Sequence, residues 1–177
     1  MTAVKVQAPH KLVLKTFWKR AINFAIKLPK DFVNIEWYGR GPWENYQDRK
    51  TSAFVGDYSG TIIDQYYPYI RPQESGNKTD VRWAKLTRQD GSGITIAYTD
   101  SLLNIEALPY NPEQLFPGME KDQTHSEELV PDKYIHLDVD LQQMGVGGIN
   151  SWGALPLEKY RMPYKSYSYS YLIIPFK

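Results

Sequence analysis

The chain reads as an all-β domain of two packed antiparallel sheets, and three observations predict that class. Runs in which apolar and polar residues alternate recur along it. The clearest is Tyr134 to Leu141, with Ile135, Leu137, Val139 and Leu141 on one face and Tyr134, His136, Asp138 and Asp140 on the other. A period of two marks a strand with one buried side. Glycine, proline and Asn/Asp clusters interrupt the runs at short intervals, the punctuation of sheets rather than of long helices. The aromatic content, 14 tyrosines, 6 phenylalanines and 5 tryptophans in 177 residues, suits pleated, half-buried surfaces.

Taken in order, residues 1–20 read as an N-terminal tail, or as a strand separated from its partner. Lys5, Lys11, Lys15, Lys19 and Arg20 alternate there with short apolar patches that Pro9 interrupts. The domain proper is residues 21–177. Ile22, Phe24, Ile26 and Leu28 predict a strand, Pro29-Lys30-Asp31 a turn, and Val33, Ile35 and Trp37 a second strand, so the pair reads as a hairpin. No period survives in Glu36 to Lys50, where Gly39, Gly41 and Pro42 are crowded by Trp37, Tyr38, Trp43 and Tyr46 and by charges. Buried charges need partners, so this loop is expected to form a structural network. A second polar loop, Arg71 to Asp80, is expected to pack against residues 39–50 or to share a common neighbour with them. Thr51 to Ile70 reads as extended, Val81 and Trp83 as the start of one strand, and Gly91-Ser92-Gly93 as a turn into Ile94, Ile96 and Tyr98. Leu103, Ile105 and Ala107 follow, which makes the middle of the chain a meander. Asn111-Pro112-Glu113 is a helix-start signal. The last strand alternates serine with tyrosine from Ser166 to Tyr171.

Composition excludes several functions. Lys plus Arg is 21 against 20 Asp plus Glu, so no net field draws nucleic acid or an anionic membrane. There is no cysteine, which removes disulfides and thiolate metal sites. No apolar run has the ~18 residues of a membrane-spanning helix, and Met1 to Val6 lacks the apolar core of a signal peptide. His136, Asp138 and Asp140 share a strand face but stand too far apart to wrap one ion, so they read as a solvated polar face. His125 and Glu127 read as plain surface. Gly145-Val146-Gly147-Gly148 follows a strand, but no helix pattern follows it, so it is not a dinucleotide fingerprint. No carboxylate pair for glycoside hydrolysis can be picked out. No catalytic residue, metal or cofactor is expected in this chain.

The stretch that remains is Gln143 to Gly153. Glycines at 145, 147 and 148 end the strand, and Trp152 then stands between Ser151 and Gly153. Small neighbours leave an indole face uncovered, and a flat electron-rich ring can meet the C–H face of a sugar. Two readings stay open from these residues: Trp152 as a platform for a sugar ring, supported by Gly147, Gly148, Asn150 and Ser151, or Trp152 as a plug at the end of the sandwich. The 36–50 loop has a parallel alternative, a polar sugar cleft.

Four motifs in order carry a resemblance. They are Glu36-Trp37-Tyr38-Gly39-Arg40-Gly41-Pro42 with Glu44-Asn45-Tyr46 and Asp48-Arg49-Lys50; Tyr69-Ile70-Arg71-Pro72-Gln73-Glu74 with Gly76-Asn77; Asp80-Val81-Arg82-Trp83; and Gln143-Met144-Gly145-Val146-Gly147-Gly148 with Ser151-Trp152-Gly153. Together, over about residues 21–177, they resemble the C-terminal domain, or small chain, of β-galactosidases of glycoside hydrolase family 2. The resemblance implies a β-supersandwich like that of galactose mutarotases. It implies a parent chain whose (β/α)8 barrel supplies the acid/base and nucleophile glutamates. It also implies that Trp152 stacks on the sugar in the aglycone position. The partners implied are a β-galactoside, held weakly by this domain alone, and the rest of the parent enzyme; a homo-oligomer is compatible with it. A soluble compartment, cytoplasmic or periplasmic, would follow the parent. Ile149 and Asn150 replace the two aspartates usual before the Ser-Trp pair, and Ser75 stands where asparagine is common, which bears on how the turn is held. The histidines, His10, His125 and His136, match no mutarotase pattern. A stand-alone sugar-binding or aldose-epimerase-like protein, and a purely structural domain, are the alternative functions.

Overall fold

A computed structural model describes residues 2–8, 21–115, 125–147, 154–163 and 165–177. Ten strands form two antiparallel sheets: β1 (Thr2–Ala8), β2 (Ala21–Pro29), β3 (Phe32–Gly41), β4 (Phe54–Thr61), β5 (Lys78–Val81), β6 (Trp83–Arg88), β7 (Gly93–Tyr98), β8 (Leu103–Leu108), β9 (Tyr134–Gln143) and β10 (Tyr167–Phe176). One sheet has six strands in the order β1-β10-β7-β6-β3-β4, the other four in the order β2-β9-β8-β5. The single α-helical turn among the described residues, α1, is Pro112–Leu115, where the Asn-Pro-Glu signal stands; the Asn111 side chain caps it by accepting from the Glu113 N–H at 3.0 Å.

The core lies between the sheets. Ile35, Trp37, Leu86, Ile96, Tyr169 and Tyr171 enter it from the six-stranded sheet, and Leu28, Val81, Leu103, Ile105, Leu137 and Val139 from the other. The Ser/Tyr strand β10 works as its alternation requires, burying Tyr167, Tyr169 and Tyr171. A buried phenol needs a partner, and the Tyr169 hydroxyl donates across the core to the Val139 carbonyl at 2.6 Å.

Four expectations are corrected here. β2 and β3 are not a hairpin: β2 pairs with β9 and β3 with β4 and β6. Both strands turn apolar residues, Ile26 and Leu28 of β2 and Ile35 and Trp37 of β3, toward the same core from opposite sheets rather than pairing edge to edge. Val81 and Trp83 belong to different strands in different sheets. Asp80 takes φ +54°, and the Arg82 N–H donates to the Tyr38 carbonyl at 2.8 Å, so the chain changes sheets at this corner. The middle of the chain is likewise no simple meander: β6–β7 is a hairpin, but β8 crosses to the other sheet. Residues 2–8, read as part of a tail, pair with β10 along their whole length, Thr2 against Ile173 and Ala8 against Tyr167.

Candidate functional site

The polar stretches 39–50 and 71–80 pack against each other as predicted; most of each lies in the connections 42–53 between β3 and β4 and 62–77 between β4 and β5. Asn45 is the pivot. Its N–H donates to the Asn77 carbonyl at 2.8 Å, and its own carbonyl accepts from Asn77 Nδ2 at 2.7 Å. Its Oδ1 accepts from the Thr79 N–H at 2.9 Å and from Thr79 Oγ1 at 2.5 Å. Glu44 accepts from the Gly76 N–H at 2.8 Å and is also bonded by the Arg49 guanidinium and the Tyr69 hydroxyl. Burial, and then the hydrogen bond to Glu44, push the Tyr69 phenol up to about 12. Asp80 accepts from Arg40 Nε at 2.5 Å and from Lys50 Nζ at 3.1 Å. Burial works against its ionisation, but those two cations outweigh it and hold the carboxyl below its ordinary value. Ser75, in the place where asparagine is common, is buried and accepts from the Tyr67 N–H at 2.6 Å; a hydroxyl is enough there.

A cleft of about 350 Å³ opens beside this network, lined among others by Gln47, Lys50, Asp80 and Gln142. These groups are already engaged: Lys50 with Asp80, and Gln142 Nε2 with Gln47 Oε1 at 3.3 Å. The loop's charges fix its shape, which favours the structural network over a polar sugar cleft at this position.

The same loop holds the glycine-rich turn. Asp48 Oδ1 accepts from the Val146 N–H at 3.1 Å and Oδ2 from the Gly147 N–H at 2.8 Å. Gln47 donates to the Gln143 carbonyl, and Gln143 Nε2 reaches Asp140 Oδ2 at 2.8 Å and Asn77 Oδ1 at 3.2 Å. The two described glycines serve for different reasons. A Cβ on Gly145 would lie 2.6 Å from Asp48 Oδ2 and 2.9 Å from Tyr160 Cβ, so the position has no room. Gly147 has room, its Cβ meeting nothing closer than the Ala154 carbonyl oxygen at 3.5 Å, but its φ is +73°, which costs a side-chain-bearing residue ~1–2 kcal/mol. The chain that returns is pinned as well: the Gly145 N–H donates to the Tyr160 carbonyl at 2.8 Å, and Arg161 Nε to the Pro156 carbonyl at 2.7 Å. Gly147 and Ala154 thus stand side by side as the two shoulders of segment 148–153. Of the residues singled out from sequence, Gly147 is placed at one shoulder, while Gly148, Asn150, Ser151 and Trp152 lie outside the described residues. Asp48 and Gln47 were not foreseen as its holders. Asp48 lies in a quoted motif, but no local pattern links it to backbone amides nearly a hundred positions later. Its carboxylate also answers how the described part of the turn is held although Ile149 and Asn150 replace two carboxylates.

The strand face of His136, Asp138 and Asp140 is not solvated. Asp138 is 8% and Asp140 1% exposed. Asn104 and Glu106 lie directly across from Asp140 and Asp138 in register, and Gln143 bridges Asp140 to the 62–77 loop, so a buried polar layer replaces the wet face. His136 instead contacts Asp132, Nε2 to Oδ2 at 2.7 Å. No group of three His, Cys, Asp or Glu among the described residues could hold a metal ion. His125 and Glu127 are exposed, as surface residues should be. No helix among the described residues is long and apolar enough to cross a membrane.

Comparison with known proteins agrees with the motifs and extends them toward the N-terminus. The family described as "Beta galactosidase small chain" matches residues 2–173. A "Beta-galactosidase" of Priestia megaterium is 42% identical over 139 residues, covering 78% of this chain and 13% of that protein. A "Beta-galactosidase" of Halalkalibacterium halodurans is 37% identical over 79% of this chain and 13% of its own length. "Beta-galactosidase BgaC" of Bifidobacterium adolescentis is 36% identical over 77% and 13%. The chain therefore spans about one eighth of the curated relatives it matches. With the four motifs in order, the sheets they build and the match over residues 2–173, the chain belongs to the β-galactosidase small-chain family.

Proposed function

We propose that this chain is the non-catalytic C-terminal domain of a β-galactosidase of glycoside hydrolase family 2, a supersandwich that completes the parent's active site. In this reading Trp152 stacks on the substrate in the aglycone position, while the acid/base and nucleophile glutamates come from the parent's (β/α)8 barrel. The observation that carries it is the double grip of Asp48 on the glycine turn. Two charge-assisted bonds from a distant loop, a steric lock at Gly145 and a pinned return strand at Tyr160 and Arg161 hold both shoulders of a short segment. That is the support a side chain needs when it must meet a substrate within about half an ångström. Val146, Leu155 and Leu157 are exposed on those shoulders, which supports contact with the rest of the parent there. The relatives' names support a β-galactoside as substrate.

The test is Trp152→Ala in the full-length parent enzyme. KM for nitrophenyl β-galactoside should rise about tenfold, the equivalent of ~1.4 kcal/mol, acceptor preference in galactosyl transfer should change, and the first chemical step should be nearly unaffected. A purely structural domain predicts the reverse: a lower melting temperature with KM unchanged. The 177-residue chain alone should not turn over the same substrate, because hydrolysis needs two carboxyl groups set across the scissile bond. Turnover that disappears on mutating one of its own glutamates would overturn this assignment.

A further inference from the structure

A second cavity, of about 360 Å³, opens on the other side of the 42–53 loop. That volume is at the small end of the ~300–1,000 Å³ range of small-molecule sites. Its floor is Lys78, whose side chain is 3% exposed. An ammonium carries three N–H donors, and Lys78 Nζ donates one of them to the Gly76 carbonyl at 2.8 Å. Nζ also stands 5.1 Å from the Trp37 ring centroid, and the carboxylates of Glu44 and Glu106 favour its charge. Burial is costly for a cation: desolvation outweighs those carboxylates and lowers the Lys78 pKa to about 8, so something in the cavity that accepts from the ammonium is favourable.

The walls say what that something is. Trp43 stands at the rim 74% exposed, and Tyr67 is 48% exposed; both line the cavity. Asp64 and Gln65 line it too. Asp64 Oδ2 is bonded by Thr61, and Gln65 spends its amide N–H on the Thr61 carbonyl, so each keeps an acceptor oxygen for a ligand. An anion would suit Lys78 but would meet the carboxylates of Asp64 and Glu44. A purely apolar ligand would offer the ammonium no acceptor. A neutral pyranose satisfies both: hydroxyls that accept from Lys78 and donate to Asp64 and Gln65, and a C–H face for the Trp43 ring, whose face is electron-rich.

We propose that this cavity is a second saccharide site, separate from the Trp152 segment, that takes a neutral pyranose between the Trp43 ring and the Lys78 ammonium. It goes beyond the active-site role above and stands or falls independently of it. The test is a titration of the chain with methyl β-galactopyranoside, read from the indole N–H signals of the tryptophans in ¹H–¹⁵N spectra, with sorbitol as the control for bulk solvent effects. The Trp43 signal should move along a saturating curve with a dissociation constant on the order of millimolar. Lys78→Met should weaken that constant at least tenfold, and Trp152→Ala should leave it unchanged. Trp43→Ala, a change at an exposed loop position, should abolish saturable shifts of the Tyr67 and Gly60 amides; it serves as the decisive variant if Lys78→Met does not fold. A Trp43 signal that stays still, or drifts linearly as it does with sorbitol, overturns the proposal. So does saturation seen only at Trp152, a result that would leave the active-site reading intact.

Discussion

Replacing Asp48 by alanine is the sharpest perturbation of the turn. The carboxylate accepts two backbone N–H bonds, from Val146 at 3.1 Å and Gly147 at 2.8 Å. A hydrogen bond to a charged group contributes about 1.5–3 kcal/mol. Asp48 is half-buried, so the lower end of that range applies, and the two bonds together stabilise the fold by ~2–3 kcal/mol. At ~2–4 °C per kcal/mol for a domain of this size, Asp48→Ala should lower the melting temperature by ~4–12 °C, followed by circular dichroism. Asp48→Asn keeps one acceptor oxygen but turns an NH2 group toward the other amide, so at least half the loss should remain. In the parent enzyme both variants should raise KM in the same direction as Trp152→Ala, since the segment they release is the one that carries it. A melting curve that falls while KM stays put would refute the link between Asp48 and the active site. No change in either quantity would refute the grip itself.

Gly145→Ala should be more harmful than Gly147→Ala: the first drives a Cβ into Asp48 and Tyr160, the second pays only the ~1–2 kcal/mol of a left-handed backbone, and equal melting temperatures would contradict this. Asn45→Ala should cost ~3 kcal/mol or more in chemical denaturation, because it strands the buried Thr79 N–H along with the other loop contacts. Lys78 makes the fold more stable as pH rises from about 8 toward 10. Its folded pKa of about 8 lies below the ordinary 10.5 of a lysine, so in that window the unfolded chain binds the proton that the folded chain has lost. The full effect corresponds to ~3 kcal/mol, and the stability difference between wild type and Lys78→Met, measured at pH 7.5 and 9.5, should reveal most of it. Higher pH would mix in an opposite trend, since burial raises the phenols of Tyr69 and Tyr171 to about 12 and they favour the folded state less as pH climbs.

Strand faces were readable in the sequence, and strand partners were not. Ile135, Leu137 and Val139 had to be inside whatever lay beside them, and they are. The alternation in Ile22–Leu28 and in Val33–Trp37 also named core-facing residues, Ile26 and Leu28 in one and Ile35 and Trp37 in the other, but facing a core does not choose an edge, and β2 and β3 went to opposite sheets. The corner at Asp80 was hidden because a positive φ on an aspartate is allowed but not announced. Asp138 and Asp140 misled because a polar strand face is wet only if nothing covers it, and here a layer of Asn104, Glu106 and Gln143 does. The mutual satisfaction of the two polar loops was legible from charge density alone, since so many ionised groups in an aperiodic segment had to find one another. The reach of Asp48 to residues 146 and 147 was not, because a side-chain to backbone bond across most of the chain leaves no local signature.

The pairing of β1 with β10 sets a condition on how the chain is made. Thr2 finds its partner only at Ile173, so on the ribosome β1 must wait while the roughly 170 residues between them are made, on the order of ten seconds at ordinary rates of synthesis. β2 waits nearly as long for β9. The hairpins β3–β4 and β6–β7 can form as they emerge, but the strand that joins β1 to β7 is the last to arrive. During that interval β1 is an unpaired edge with open backbone groups, the kind of surface on which nascent chains stick to one another. Completion of the six-stranded sheet is therefore tied to the arrival of residues 167–176, and a chain stalled before them would be left with its first strand unclaimed.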